Sequence, residues 1–558
     1  MKLSGAEIVV KCLEKEGVEV VFGIPGGAIM PLYDAMHRMA SFKNILTKHE
    51  QGAIHAADGY ARVTGKVGIC IATSGPGATN LVTGLANAHL DSIPIVAFTG
   101  QVSTNLLGTD GFQEVDISGI SIPITKNNYI VRDVNELASI IKEAFHIART
   151  GRPGPVLIDL PKDVQFARTD FEYPRKDKFL GYQPSIKGND KQIKSAAQEI
   201  LKSKKPVIYA GGGVISSNAS VELKELAFKA NIPVTTTLMG IGSFPENHLL
   251  SLGMLGMHGT YYANSAIQNA DLIIALGTRF DDRVTGKLTE FGLKAKIIHI
   301  DIDPAEIGKN ILVDIPIVGD LKKILQKLNK QVTEKNEKEW LKTIKELKNK
   351  YPLTYIKNEE LKPQYILEKV YDAVGGDAII VTSVGQHQMW AAQFFQYTQP
   401  RTFVTSGGLG TMGFGLPAAI GAKVGCPKKN IICISGDGSF QMNIQEIATA
   451  LNNNLPIILI LMNNGYLGMV RQWQELFFER RYAKTTLNGN PDFIKLVEAY
   501  GGTGIRVTSK KEVMPSLKKA LSSKGFILLD CIIPKEENVY PMVAPGGSIT
   551  EMLGVNGK

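Results

Sequence analysis

Asp437 and Asn464 lie 27 residues apart, the length of one strand–turn–helix–strand excursion. Upstream, residues 431–435 form a continuous apolar run, as expected of a parallel strand buried on both faces. Gly436 and Gly438 flank Asp437 and let the backbone approach a ligand closely. Phe440, Ile444, Ile447, Ala448 and Leu451 then fall on one stripe of an expected amphipathic helix, and residues 456–462 read as the next buried strand. Asp437 and Asn464 therefore emerge at the C-terminal ends of two strands, where open α/β sheets take their ligands. A carboxylate and an amide oxygen side by side suit Mg²⁺, which completes its shell with water and phosphate oxygens.

A second constellation lies near the N-terminus. Val20-Val21-Phe22 enters the turn Gly23-Ile24-Pro25-Gly26-Gly27, followed by Lys48-His49-Glu50-Gln51 and Ser74-Gly75-Pro76-Gly77. Alone, Glu50 reads as a helix-start carboxylate; with the downstream pair in the same chain it becomes a candidate acid–base group. His49 reads as its packing neighbour. Between the two constellations, Gly211-Gly212-Gly213 follows a strand at 206–210, and the segment 277–287 follows a strand at 272–276. A third strand, 297–303, ends in Asp301 and Asp303. An acidic strand end suits ribose hydroxyls, and Arg279 suits a diphosphate; the alternative is a surface ion-pair cluster.

These residues need three scaffolds, and 558 residues suffice for three domains. Strand and helix patterns alternate throughout, so the fold class expected is α/β with three doubly wound parallel sheets, over 1–175, 190–345 and 362–558. The net charge of +9 raises nucleic-acid binding. Yet the lysines concentrate at 322–350 among glutamates, without an aromatic stacking platform, which is a solvated helical linker. The five cysteines show no CxxC spacing and several sit in apolar runs, so they read as reduced and buried. The first 16 residues look like an amphipathic helix rather than a signal or transit peptide, and no apolar run reaches membrane-spanning length. Location in the cytoplasm, or in an organelle stroma, is the expectation.

The three segments resemble thiamine diphosphate (ThDP) enzymes and, over essentially the full length, the catalytic subunits of the acetohydroxyacid synthases. The motifs that carry this are Gly108-Thr109-Asp110-Gly111-Phe112-Gln113-Glu114, Gly410-Thr411-Met412-Gly413-Phe414-Gly415-Leu416-Pro417, the 436–464 stretch, and Leu467-Gly468-Met469-Val470-Arg471-Gln472-Trp473. The resemblance implies that Asp437, Asn464 and the Tyr466 carbonyl hold Mg²⁺ on the diphosphate. It implies that a buried Glu50 activates the pyrimidine and that Met412 is a wedge bending the cofactor, a core Met being the alternative. Asn80, Gln386, Gly410, Gly436, Gly438, Ser439, Gly468 and Met469 complete the ThDP contacts it implies. Gln113 and Lys162 would line the reacting centre and Arg283 would hold the acceptor's carboxylate. Trp473 would favour 2-oxobutanoate over pyruvate by one methylene, roughly 1–3 kcal/mol.

The segment from Arg279 to Lys287 marks the FAD-containing biosynthetic members of that family. The FAD contacts implied are Arg152, Gly212, Gly213, Thr237, Leu238, Met257, His258, Gly277, Arg279, Val284, Asp301, Ile302 and Asp320, with a structural rather than redox role. The implied reaction decarboxylates pyruvate and joins the remainder to a second 2-oxoacid. A homodimer or homotetramer with the site at the subunit interface, and a separate small regulatory subunit, also follow from the resemblance. Glyoxylate carboligases lack the activating Glu, so Glu50 argues against that relative; a pyruvate oxidase would consume oxygen or quinone. A non-catalytic copy has no chemical need for Glu50, Met412, Asp437 and Asn464 together. Two departures stand out: Gly111 where many relatives carry Ala, and Ser103 where herbicide-sensitive relatives commonly carry Pro.

Overall fold

In a computed structural model, residues 2–175, 179 and 181–555 are described. They form three six-stranded sheets, every ladder within them parallel, with helices on both faces. The first sheet runs, in spatial order, Lys43–Leu46, Val20–Gly23, Gly68–Ala72, Ile95–Gln101, Pro155–Pro161 and Asn127–Ile130. Its central strands are buried at every residue, which is why they read as unbroken apolar runs. Numbered along the chain, this order is 2-1-3-4-6-5, and the third sheet (Ala378–Thr382 to Ile527–Ile532) repeats it. The middle sheet, from Pro206–Ala210 to Ile315–Val318, has the order 3-2-1-4-5-6, that of dinucleotide-binding sheets.

The first and third sheets share one core. Helix Glu50–Thr64 lies against helix Gly415–Gly425, and Ile54, Ala57, Phe414 and Ala419 join a single apolar cluster. Glycine makes the approach possible: a β-carbon on Gly421 would sit 1.8 Å from the Ala56 carbonyl oxygen, and one on Gly59 2.1 Å from that of Ala418. Arg401 reaches all three sheets' territories. Its guanidinium donates to the Arg62 carbonyl (2.9 Å), the Ile215 carbonyl (3.2 Å) and Asn218 Oδ1 (3.1 Å).

Several local expectations change. The stripe from Phe440 to Leu451 is two helices, Asp437–Gln441 and Glu446–Asn452, rather than one. Buried Asn443 sits in the break and donates to the Gly413 carbonyl (2.9 Å), a side-chain-to-backbone bond that competes with helix continuation. The N-terminal helix, Gly5–Lys15, is preceded by a strand, Lys2–Ser4, and starts at a Ser4–Glu7 capping box. The lysine-rich stretch is two helices, Leu321–Gln331 and Lys338–Lys350. Four cysteines are buried and Cys426 partly so; none is paired.

Candidate active site

Strand Asn430–Gly436 delivers Asp437 and strand Ile458–Asn463 delivers Asn464, at the C-terminal ends of two neighbouring strands of the third sheet, one of which borders its switch point. Ten of the residues singled out by the sequence line one cavity there: Gln386, Met412, Gly436, Asp437, Gly438, Ser439, Asn464, Tyr466, Gly468 and Met469. Asp437 is 1% exposed, and burial pushes its carboxyl up to about 6. Asn490 Nδ2 donates to Asp437 Oδ2 (2.7 Å), and Gln441 Nε2 holds Asn490 Oδ1 (2.8 Å). Asn464 Oδ1 accepts the Tyr466 N–H (3.0 Å), and Asn464 Nδ2 donates to Gln386 Oε1 (3.3 Å). Gln386 Nε2 in turn donates to Gln472 Oε1 (2.9 Å), and Gln472 exchanges two hydrogen bonds with the Val539 backbone.

Two of its glycines are required by the packing of the cavity wall itself. A β-carbon on Gly468 would sit 2.1 Å from Gln386 Oε1, and one on Gly438 2.8 Å from Leu467 Cδ2. His387, overlooked in the sequence, lines the same cavity with its Nε2 buried and unpartnered, and burial pulls its pKa down to about 3. Its signal was the Gly385-Gln386-His387 turn directly after strand Ala378–Thr382. Asn490 gave no signal, since it reaches Asp437 from 53 residues downstream. Among the described residues no three His, Cys, Asp or Glu side chains cluster as a metal site. One carboxylate plus neutral oxygens fits a cation whose other ligands are phosphate and water.

Met412 follows Gly410, whose φ of +71° only glycine adopts readily, and its Cε lies 3.9 Å from where a Gly438 β-carbon would be. The Gly413 N–H donates to Ser439 Oγ (3.1 Å), tying this turn to the Asp437 helix.

On the first sheet, Glu50 opens helix Glu50–Thr64 with His49 as its N-cap, and Asn80 Nδ2 donates to Glu50 Oε2 (2.9 Å). Glu50 is half-buried in the single chain, not buried as expected, because it stands at the mouth of its sheet. Gln113 takes φ +59° and packs on Gly75, while Lys162 stands exposed at the start of helix Lys162–Phe166. In the single chain neither Glu50, Asn80, Gln113 nor Lys162 lines the Asp437 cavity.

Arg283 and Trp473 do meet: the guanidinium carbon lies 5.9 Å from the indole ring centre. Trp473 belongs to helix Gly468–Phe477, whose first residues line the Asp437 cavity.

A larger cavity, about 620 Å³, opens between the first and middle sheets' loops. Gly213, Gly277, Asp301, Ile302 and Asp320 line it, together with Thr150, Gly151, Tyr182 and Ser217, which the sequence reading did not include. Gly213 and Gly277 pack so closely that a β-carbon on the first would sit 2.6 Å from the Cα of the second. Burial pushes the Asp301 carboxyl up to about 6. Asp320 also caps helix Leu321–Gln331 through the Lys323 N–H. Gly212 packs on Met239, and Thr237 caps the short turn Leu238–Gly240. Arg279 projects to Gly408. Met257 and Val284 sit beside the Arg283 backbone, and buried His258 has an unpartnered Nδ1. Arg152, between the cavity-lining Gly151 and Pro153, is bound to Glu306 (2.7 Å), Asp303 (3.3 Å) and Ser92.

Residues 3–120 match the thiamine pyrophosphate enzyme N-terminal TPP binding domain, 193–328 the central domain, and 383–531 the C-terminal TPP binding domain. The acetolactate synthase large subunit of Corynebacterium glutamicum is 51% identical over 99% of this chain and 90% of its own length. The acetolactate synthase of Mycobacterium bovis is 49% identical over 100% and 92%, and a probable acetolactate synthase large subunit of Methanocaldococcus jannaschii 50% identical over 99% and 95%. The chain belongs to the acetolactate synthase family of thiamine pyrophosphate enzymes. The two TPP binding domains make thiamine diphosphate the cofactor of the chain. Among the described residues no helix is long and apolar enough to cross a membrane.

Proposed function

We propose that this chain is the catalytic subunit of a biosynthetic, FAD-containing acetolactate synthase. It decarboxylates pyruvate and joins the remaining two carbons to a second pyruvate or to 2-oxobutanoate, giving 2-acetolactate or 2-aceto-2-hydroxybutanoate on the route to valine, leucine and isoleucine. The observation that carries the reading is the Arg283–Trp473 pair beside the Asp437 cavity: a cation for a 2-oxoacid carboxylate against an aromatic wall for its alkyl end.

ThDP, when bound, supplies the nucleophilic carbon and the electron sink that let pyruvate lose carbon dioxide. Asp437, Asn464 and the Tyr466 carbonyl hold Mg²⁺ on its diphosphate, with Gln386, Ser439 and His387 around it. Glu50, oriented by Asn80, holds and returns a proton at the pyrimidine ring nitrogen. Met412, packed toward Gly438, would be the apolar side chain that shapes the bound cofactor. Gln113 and Lys162 line the reacting centre, and Arg283 orients the acceptor. FAD would occupy the cavity of Gly213, Gly277 and Asp301, where the close Gly213–Gly277 backbone contact holds two strand-end turns together, and would serve structurally.

Glu50 and Asp437 lie at the mouths of different sheets, and apolar side chains beside the first site stand exposed, Phe112 at 89% and Ile122 at 67%. That supports a homodimer or homotetramer in which one copy's Glu50 faces another's Asp437. The relatives' name "large subunit" supports a separate small regulatory subunit. The cytoplasm, or an organelle stroma, is the proposed compartment, in keeping with the unpaired cysteines.

The test is acetolactate formation from pyruvate by the purified chain with ThDP and Mg²⁺, with and without FAD. FAD-dependent product without oxygen uptake is expected. Activity indifferent to FAD would overturn the flavin assignment, and acetate with oxygen uptake would overturn the carboligase.

A further inference from the structure

A buried ionic network joins the first sheet's helices to the turn that carries Met412. Arg62, 6% exposed, pairs with Asp58 (2.5 Å) and Asp91 (2.8 Å), both fully buried. Asp91 ends helix Val82–Asp91, where a negative charge faces the helix's own negative pole and is locally unfavourable. Its two oxygens are spent on the neighbouring domain: Oδ2 accepts the Gly407 N–H (3.0 Å) and Oδ1 the Gly408 N–H (2.7 Å). One turn earlier, Asn87 Oδ1 accepts the hydroxyls of Ser406 (2.5 Å) and Thr411 (3.3 Å), while Ser406 Oγ accepts the Thr411 N–H (2.8 Å). Residues 406–411 are thus gripped at both ends, and Met412 leaves the far end. Locally disfavoured residues persist where function requires them.

We propose that Asp91 is a positioning residue of the carboligase site, fixing the 407–411 turn and so the projection of Met412 against Gly438. The inference deepens the function proposed above and rests on Met412 touching the cofactor. A carboxylate holding two consecutive amide protons sets both the direction and the height of a glycine turn; a neutral side chain that offers one acceptor sets neither. Arg62 holds that carboxylate in line from the other side through its 2.8 Å ion pair.

The test is Asp91→Asn in the full-length enzyme with ThDP and Mg²⁺. Asparagine accepts one amide proton and turns an NH₂ toward the other, the loss of about one charge-assisted hydrogen bond. The expected result is a fall in kcat of roughly 10–100-fold, with KM for pyruvate unchanged and an altered near-ultraviolet circular dichroism of bound ThDP. Ser406→Ala should move the same readouts in the same direction by less, and decides the matter if Asp91→Asn does not fold. Val513→Ala, in the outer core of the third domain, lowers Tm and leaves kcat and the dichroism alone. Wild-type kcat and dichroism in Asp91→Asn, or in Ser406→Ala as its substitute, would overturn the inference. Met412→Ala separates the two layers: retained kcat there refutes the wedge itself, whereas loss there with retention in Asp91→Asn refutes only the role of Asp91.

Discussion

Lowering the pH from 7 to 5 should weaken cation-dependent ThDP binding about tenfold through Asp437. Burial raises its carboxyl from 3.8 to about 6, and this side chain is 1% exposed, so the shift is little screened. About two units corresponds to roughly 3 kcal/mol against the ionised form while no cation is present. With that pKa the carboxylate is about 90% ionised at pH 7 and about 10% at pH 5; at its ordinary value it would stay ionised across the range. A cation arriving at pH 5 must displace a proton, and affinity falls with the ionised fraction. For the cation-free protein the sign follows from the raised pKa: stability from this group is full below about 4 and is lost as pH rises through about 6. The assay is a calorimetric titration of ThDP at fixed Mg²⁺ across pH 5–7.5, on the wild type and Asn490→Leu. The Asn490 hydrogen bond lowers the Asp437 pKa, so the variant's midpoint should move upward. The cofactor's own phosphate titration is common to both proteins, so the difference belongs to the site. Superimposable pH profiles, or no weakening between pH 7 and 5, would refute the reasoning.

Three further outcomes are expected. Glu50→Gln keeps ThDP affinity but loses acetolactate formation by about 10²–10⁴-fold, measured by steady-state kinetics beside a binding titration. Trp473→Leu removes the aromatic wall and brings the 2-oxobutanoate preference from tens-fold to near unity, read as the product ratio from mixed 2-oxoacids. Gly213→Ala drives a β-carbon into Gly277 and should abolish bound flavin, read from visible absorbance of the purified protein.

The strands of the third sheet were legible because buried parallel strands are unbroken apolar runs and their glycine turns mark the C-terminal ends, whereas Gln386, Met412, Ser439, Gly468 and Met469 came from the family resemblance. The Asp437–Asn464 pair needed only that geometry. The break at Asn443 was not legible: the apolar stripe runs straight through it, and the Gly413 carbonyl that captures Asn443 lies 30 residues upstream. His387 was passed over because burial alone makes a histidine ordinary; its unpartnered Nε2 is visible only once the neighbours are placed. Arg152 was named from the family resemblance alone, and its ion pairs with Glu306 and Asp303, 154 and 151 residues downstream, had no signal in the sequence.

The guanidinium of Arg401 bears on how this chain can be taken apart. Because one side chain satisfies the carbonyl at the end of the Glu50 helix and the carbonyl of Ile215 at once, the central domain is not a free cassette. Exchanging it for that of a relative would leave the Arg401 guanidinium at the seam with donors short of acceptors unless the graft also supplied acceptors at the positions of Ile215 and Asn218. Recombination between such enzymes should therefore succeed at crossover points that keep Arg401 with its acceptors from both neighbours, and fail at points that respect only the limits of each sheet.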